Sequence, residues 1–389
     1  MLRLTYLYRN LTRNKLRTLL TMAAVGLPIT IYVLSMAVVD GVERFLDNSA
    51  RQLRLAVTQK ASIVNPLPEG HRAKIQALDP TGQRLLSVCG MRWIGGKIEH
   101  DPRPLSTMGL DPDSFTATFP EYRLTPEEIA DWLRDRRSLI AGRATARQFG
   151  WKVGDRITIQ PSVPPYAPIE FHLVSTAEQA QDAITLVCRR DYLEECIKQA
   201  GWRVGWVSFF FVKCASKADV DYYTIAIDEL FARSTDETKT QDEKAFMNEF
   251  ITQQFDLPRH LTLLAAVTVF VAVMAAANTM SMSFRDRTNE LATLKSMGFG
   301  AWFVFTQIQA ESLLLCAVGG LVGALGPYLA FRHTRLGDLT VPLIQHLDIN
   351  PAVVLQALGI SLLIGVVAAV WPSWLAMRMK VVSALRSLE

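Results

Sequence analysis

The stretch FRDRTNELATLKSMGFG, Phe284 to Gly300, stands between two long apolar runs and breaks them with charge. Read as a helix, it places Leu291, Leu294 and Met297 near one face and Arg287 with Glu290 near another. Gly298 and Gly300 would end it, because glycine accepts the left-handed backbone that closes a helix. A short helix with an apolar ridge rimmed by charge suits a groove on a water-soluble partner. The plainer reading is a connector whose charges keep it out of lipid, and the residues alone support the two equally.

Half of the 389 residues are hydrophobic, and they gather towards the two ends of the chain. Four segments exceed the roughly 18 to 20 residues that a helix needs to cross a hydrocarbon core. Leu19–Val39, Leu261–Phe284 and Ile349–Met377 carry no charge, and Ala301–Phe331 carries one, Glu311. Helices apolar on every side are membrane spans far more readily than core helices of a soluble fold.

Short flanking segments give the orientation, because lysine and arginine are retained on the cytoplasmic side. Arg3, Arg9, Arg13, Lys15 and Arg17 precede the first span without an acid among them, Arg285, Arg287 and Lys295 lie between the second and third, and Arg378, Lys380 and Arg386 follow the fourth. Both termini and the 284–300 segment are therefore expected in the cytoplasm, and Asp40 to Arg259 outside it. The first span could instead be a signal peptide cleaved near Ser35-Met36-Ala37, but its apolar region is long for that class. Ahead of it, Leu4, Leu7, Tyr8 and Leu11 share one helical face and Arg9, Arg13 and Arg17 the opposite one, the pattern of a helix lying in the headgroup layer.

The exported region is patterned differently. After Asp40-Gly41 the run VERFLDNSARQLRLAV continues helically, as a stalk. Beyond it Ile157 and Ile159, then Ile169, Phe171 and Leu173, then Phe209 and Phe211 alternate as half-buried strands do. Thr125-Pro126-Glu127-Glu128 reads as an N-cap with proline at the first helical position and a capping glutamate. Further helices are expected at 217–232 and 242–254. The expected fold is an α-helical membrane domain of four transmembrane helices, with a large extracytoplasmic mixed α+β domain, of one or two subdomains, inserted between helices 1 and 2.

By number, the expected organisation is a cytoplasmic amphipathic helix at 1–17, spans at 18–40, 259–283, 301–331 and 349–377, and the extracytoplasmic domain at 41–258. A cytoplasmic helix falls at 284–300, a short extracytoplasmic loop at 332–348 and a cytoplasmic tail at 378–389.

Some chemistries are missing from the sequence. No G-x-x-x-x-G-K-[ST] phosphate loop occurs, since Gly90–Ile98 has its lysine displaced and no hydroxyl after it, and no H-E-x-x-H occurs. No serine, histidine and acid set stands out, no histidine and cysteine spacing fits a metal, and no basic patch with interleaved aromatics points to nucleic acid. Catalytic residues and metal ligands are therefore expected to be none. Cys89, Cys188, Cys196 and Cys214 lie in the exported region, where disulfides are permitted, but the sequence selects no pairing, and Cys316 lies in a span.

The segment Arg287–Gly298, RTNELATLKSMG, resembles the coupling helix of the FtsX and MacB permease family, the type VII ABC transporters, in which an E-[IL]-x-x-L-K-x-[LM]-G core separates the second and third spans. Arg9 to Thr21 is similar to the family's entry into the first span, and Gln309–Gly326, QAESLLLCAVGGLVGALG, to its third span. The tail PSWLAMRMKVVSALRSLE is similar to the family's ending, although Val381-Val382 stand where an acid and a proline often precede A-L-R. LIAGRATARQFGWKVGDRITI resembles a segment of the MacB-like periplasmic core domain with an A-x-x-x-G-x-K-x-G-D turn.

The resemblance implies a non-catalytic permease subunit in the inner membrane. It would pair with a second permease chain, identical or a related paralogue, and with separate ABC ATPase subunits that bind ATP and Mg. This chain itself would bind no cofactor. Motion driven by ATP would pass by mechanotransmission to the exported domain, for export, efflux or extraction of a substrate that the residues do not identify. The resemblance leaves room for a periplasmic adaptor and an outer-membrane channel, and membrane lipid surrounds the spans. Carried over by position, Arg287, Glu290, Leu291, Leu294, Lys295 and Gly298 form the ATPase contact.

Glu311, the one charge inside a span, is a functional candidate that could equally be paired near the cytoplasmic end. Gly319, Gly320 and Gly323, with Gly326, would let helix backbones approach closely, and Pro28 and Pro327 could kink their spans. Two other classes compete with the transporter: an ATP-independent membrane receptor or scaffold with an extracytoplasmic binding domain, and a membrane-bound hydrolase. An ATPase bound at 284–300 separates the first from the transporter, and a clustered catalytic set would be needed for the second.

Overall fold

The computed structural model describes residues 15–99, 101, 103–178, 185–254, 257–334 and 348–379. The expected helix at 1–17 lies outside them but for its last three residues, as do most of the 332–348 loop and nearly all of the 378–389 tail. The chain forms two compact units, the second beginning at Glu43.

The first unit is helical. Helix α1 spans Lys15–Ala50, α2 Leu257–Asp286, α3 Thr288–Ser296, α4 Ala301–His333 and α5 Pro351–Arg378. All but the short α3 are long and apolar enough to cross a membrane. Asn350 starts α5 with its side chain accepting from the Ala352 amide at 3.0 Å, and Pro351 sits at the first helical position, where its missing N–H costs nothing.

Small residues set how these helices pack. Along α4 and α5, Gly320 faces the Ser361 side chain, Gly365 faces Ser312 and Cys316, and Val304 meets Ala376, an order that makes the two antiparallel. Ser312 Oγ donates to the Gly365 carbonyl at 2.8 Å, so a polar side chain buried in the seam is satisfied by the backbone opposite. A Cβ on Gly319 would stand 2.7 Å from the Met22 carbonyl, and one on Gly323 would run into the Gly26 carbonyl. The α1 and α4 backbones therefore touch directly. Thr30 Oγ1 bridges them, within 3.0 Å of both the Gly26 and Gly323 carbonyls.

The second unit is built on one nine-stranded sheet in the order β11-β1-β10-β3-β4-β8-β5-β7-β6. The strands are β1 Arg54–Gln59, β3 Leu85–Trp93, β4 Thr107–Leu110, β5 Ser138–Ala141, β6 Arg156–Ile159, β7 Ile169–Ser175, β8 Leu186–Arg189, β10 Phe209–Cys214 and β11 Thr238–Asp242. A separate pair joins β2 Leu67–Pro68 to β9 Trp206–Val207. β4 and β8 are parallel, as are β5 and β7, and the other pairs are antiparallel. The nine strands thus form one continuous sheet.

Period-two alternation places the core. Ala56, Cys89, Met91, Phe209 and Phe211 meet Phe115, Tyr122, Trp132 and Phe246 on one face. Leu55, Val57, Val88, Phe210 and Val212 meet Tyr223, Ile227 and Phe231 on the other. β6 and β7 alternate as expected, whereas β10 is buried on both faces because Phe115 and Phe246 cover one and Tyr223 and Ile227 the other. The expected helical run through Val57 is corrected: the helix stops at Ala50, and Arg54–Val57 pair with β10 and β11. Helix Pro126–Arg134 carries both hydrogen bonds of the capping box between Thr125 and Glu128. In the segment after β5, Gly150 and Gly154 have φ of +70° and +97°, which explains glycine at both turn positions.

The sheet receives the chain and releases it at the same end, where Leu55 lies opposite Asp242. There a buried ion pair joins the two connections. Arg54 donates through Nε and Nη2 to both Glu243 carboxylate oxygens at 2.8 Å, and its Nη1 reaches Glu121 at 2.6 Å and the Thr118 carbonyl at 2.9 Å. The guanidinium stacks over Phe119. Burial raises the Glu243 carboxyl pKa above its ordinary value, and the Arg54 charge opposes that shift. All five cysteines are free thiols, with Cys89, Cys188, Cys214 and Cys316 buried.

Candidate functional site

The charged segment 284–300 forms a helical hairpin with the start of α4. Arg287 breaks the helix between α2 and α3, with φ −112° and ψ 9°. At the other end the Gly298 amide donates to the Lys295 carbonyl at 3.1 Å and the Phe299 amide to the Leu294 carbonyl at 3.2 Å. These two bonds make a Schellman closure around a left-handed Gly298 with φ +92°. A side chain at that position would meet no neighbouring atom, so backbone conformation, not space, demands the glycine.

The chain then returns as α4, packed on α3. Leu291, 4 % exposed, lies against Val304 and Ala376, with Phe284, Leu294, Ile308 and Met379 around them. The ridge expected to face outward is thus divided. Leu291 turns inward, Leu294 is half-buried, and Met297 is 64 % exposed. Phe299 and Trp302, 67 % exposed, continue the apolar surface from Met297 at the tip of the hairpin.

Charge fastens the hairpin at both ends. Arg287 Nη1 donates to Glu311 Oε2 at 2.6 Å, which ties the start of α3 to α4 and gives the one carboxylate expected within a span its partner. Lys295 Nζ donates to the carbonyls of Ala376, Met377 and Met379 at 2.9, 2.8 and 3.0 Å, tying the end of α3 to the end of α5. Glu290 is half-buried in the first turn of α3, where a carboxylate complements the helix dipole.

The residues singled out from sequence therefore fall into two groups. Arg287, Glu290, Leu291, Leu294, Lys295, Gly298 and Glu311 come together in the hairpin and the helices that hold it. Gly319, Gly320 and Gly323 lie further along α4, in its contacts with α1 and α5. Sequence reasoning missed Phe299 and Trp302, although an aromatic residue on each side of Gly300 is a visible signal. It also missed the inward turn of Lys295, which no local pattern announces. Among the described residues no group of histidine, cysteine, aspartate or glutamate could hold a metal ion.

Four of these helices have the length and apolar character of the spans of a multi-pass membrane protein. Residues 262–381 match the family model described as FtsX-like permease C-terminal. The macrolide export ATP-binding/permease protein MacB of Syntrophobacter fumaroxidans is 32% identical over 127 residues, covering 32% of this chain and 17% of that protein. MacB of Marinobacter nauticus is 30% identical over 162 residues, or 41% and 24%. The alignments thus span a quarter or less of these relatives' length. Among solved structures, the extracellular domain of the noncanonic ABC-type transporter YknZ from Gram-positive bacteria aligns with 48% of this chain and 99% of its own, at 10% identity and TM-score 0.34. The periplasmic region of MacB from Actinobacillus actinomycetemcomitans aligns over 52% and 94%, at 10% identity and TM-score 0.35.

Proposed function

We propose that this chain is the permease subunit of an ABC transporter of the MacB and FtsX type, coupling ATP hydrolysis on a separate ATPase to movement of its inserted domain. On this reading the chain sits in the inner membrane with both termini and α3 in the cytoplasm, pairs with a second permease chain, and exports or extracts a substrate. ATP and Mg bind to the ATPase. A periplasmic adaptor and an outer-membrane channel are compatible additions.

The hairpin carries this reading, since it joins a short charged helix to two of the long helices inside the matched residues 262–381. Its reach follows from length. α4 has 33 residues, about 50 Å at the usual rise per residue, against a hydrocarbon core of about 30 Å. The stretch from Glu311 to His333 alone spans about 34 Å. The first turns of α4 can therefore stand in water beside α3, with the Arg287–Glu311 pair near the boundary. The apolar tip of Met297, Phe299 and Trp302 is then free to enter a groove on the ATPase, while Leu291, Lys295 and Arg287 hold the helix that presents it.

Affinity isolation of the full chain from its native membrane in mild detergent, with mass spectrometry of what accompanies it, tests the reading. An ATPase with a phosphate-binding loop should be recovered with the wild type and lost with the double variant Met297→Asp, Trp302→Asp. Recovery of no ATPase even after crosslinking would overturn it in favour of a receptor or scaffold.

A further inference from the structure

We propose that Lys295 is a positioning residue, a latch that ties α3 to the end of α5 so that any displacement of α3 is carried into α5. The last carbonyls of a helix have no partner within it. α5 ends at Arg378 with Met379 in an extended conformation, and the carbonyls of Ala376, Met377 and Met379 converge on one point. The Lys295 ammonium occupies that point and directs a hydrogen bond to each. A compact ammonium with three rotatable donors can meet three converging oxygens, which a planar guanidinium cannot. Its charge also opposes the negative end of the α5 dipole. Burial holds the Lys295 pKa below the ordinary lysine value, consistent with a group set into the structure.

The geometry around the latch gives it a direction. Leu291 and Ala376 pack beneath it, so α3 and α5 share an apolar contact as well as the charged one. Arg287 and Glu311 make the corresponding tie to α4 at the other end of α3. α2 joins α3 through the break at Arg287 and adds Phe284 to the same apolar cluster. α3 is thus fastened to α4 at its start and to α5 at its end. Only the source of the displacement rests on the transporter reading; the latch itself is a property of this chain.

The test uses the full chain in lipid nanodiscs, with spin labels at Ser296→Cys and Leu375→Cys for the α3–α5 distance and at Ser296→Cys and Thr306→Cys for the α3–α4 distance. One narrow α3–α5 distance is expected in the Lys295 background and its loss in Lys295→Met, with the α3–α4 distance unchanged. Arg287→Gln should loosen the second distance and leave the first. An α3–α5 distance unaltered in Lys295→Met overturns the latch, whether or not an ATPase is ever found. Where an ATPase is recovered with the wild type, Lys295→Met should retain it and lose transport. Loss of the ATPase with both distances intact would instead make Lys295 a partner contact and overturn the proposal.

Discussion

Arg287 and Glu311 are separated by 24 positions in the chain and by 2.6 Å in space. The pair joins the break between α2 and α3 to the third turn of α4, and little of either side chain is exposed, 16% and 11%. Removing one member of a buried ion pair leaves an uncompensated charge and costs about 3–5 kcal/mol. The residual exposure here places Glu311→Leu near the lower end. Thermal unfolding in detergent should show this loss, and the double variant Arg287→Leu, Glu311→Leu should recover part of it. A double variant no more stable than the single would mean that the charges do not interact.

Leu291 and Met297 test the divided ridge against each other. Truncating a buried leucine costs about 2–5 kcal/mol, and Leu291→Asp adds the burial of a carboxylate to that loss. The same change at exposed Met297 should shift stability by no more than about 0.5 kcal/mol. Melting temperatures of the two variants side by side decide the matter, and equal, small shifts would mean that both side chains face outward.

The α1–α4 contact offers a steric test. Gly319→Val and Gly323→Val push a side chain into the backbone at Met22 and Gly26, which cannot yield without moving α1. Overpacking of this kind costs about 1–3 kcal/mol. A Cβ on Gly326 would meet nothing within 4 Å, so Gly326→Ala is the control and should lose nothing by crowding. A Gly323→Val protein as stable as the control would show that the two helices do not touch there.

Asp79 makes a pH-dependent contribution whose sign follows from its surroundings. It accepts from the Thr81 hydroxyl at 2.5 Å and from the Leu85 and Arg84 amides at 2.9 and 2.7 Å, which hold its carboxyl well below the ordinary value of 3.8. The folded state therefore favours the ionised form. That stability is complete above the unfolded carboxylate range and is lost as pH falls through it towards the depressed folded value. The gap in melting temperature between wild type and Asp79→Ala should narrow on acidification below about pH 4. A gap independent of pH would assign Asp79 no part in acid unfolding.

The sequence displayed whatever depends on near neighbours. The long helices followed from uninterrupted apolar length, β6 and β7 from strict alternation, and the capping box from Thr125 and Glu128 three positions apart. Relations across long separations left no local mark. Arg54 and Glu243 meet across 189 positions, and nothing near either announces the other. The nine-strand order is likewise a matter of distant pairing. In the hairpin, helical periodicity could sort Leu291 from Glu290, but Leu291, Leu294 and Met297 are all apolar and share one helical stripe. Which of them turned towards α4 and α5 depended on helices far along the chain.

The neighbouring positions of β1 and β11 have a consequence for how such a protein could be assembled or altered. Paired strands lie about 5 Å apart, so the inserted domain takes in the chain and hands it back at almost the same spot. A module with adjacent ends can be cut from one host and set into another with little demand on the recipient. The Arg54–Glu243 pair closes that opening from within the module itself, and would travel with it. The domain is in this sense a cassette, open to exchange or enlargement while the helices that precede and follow it keep their own sequence.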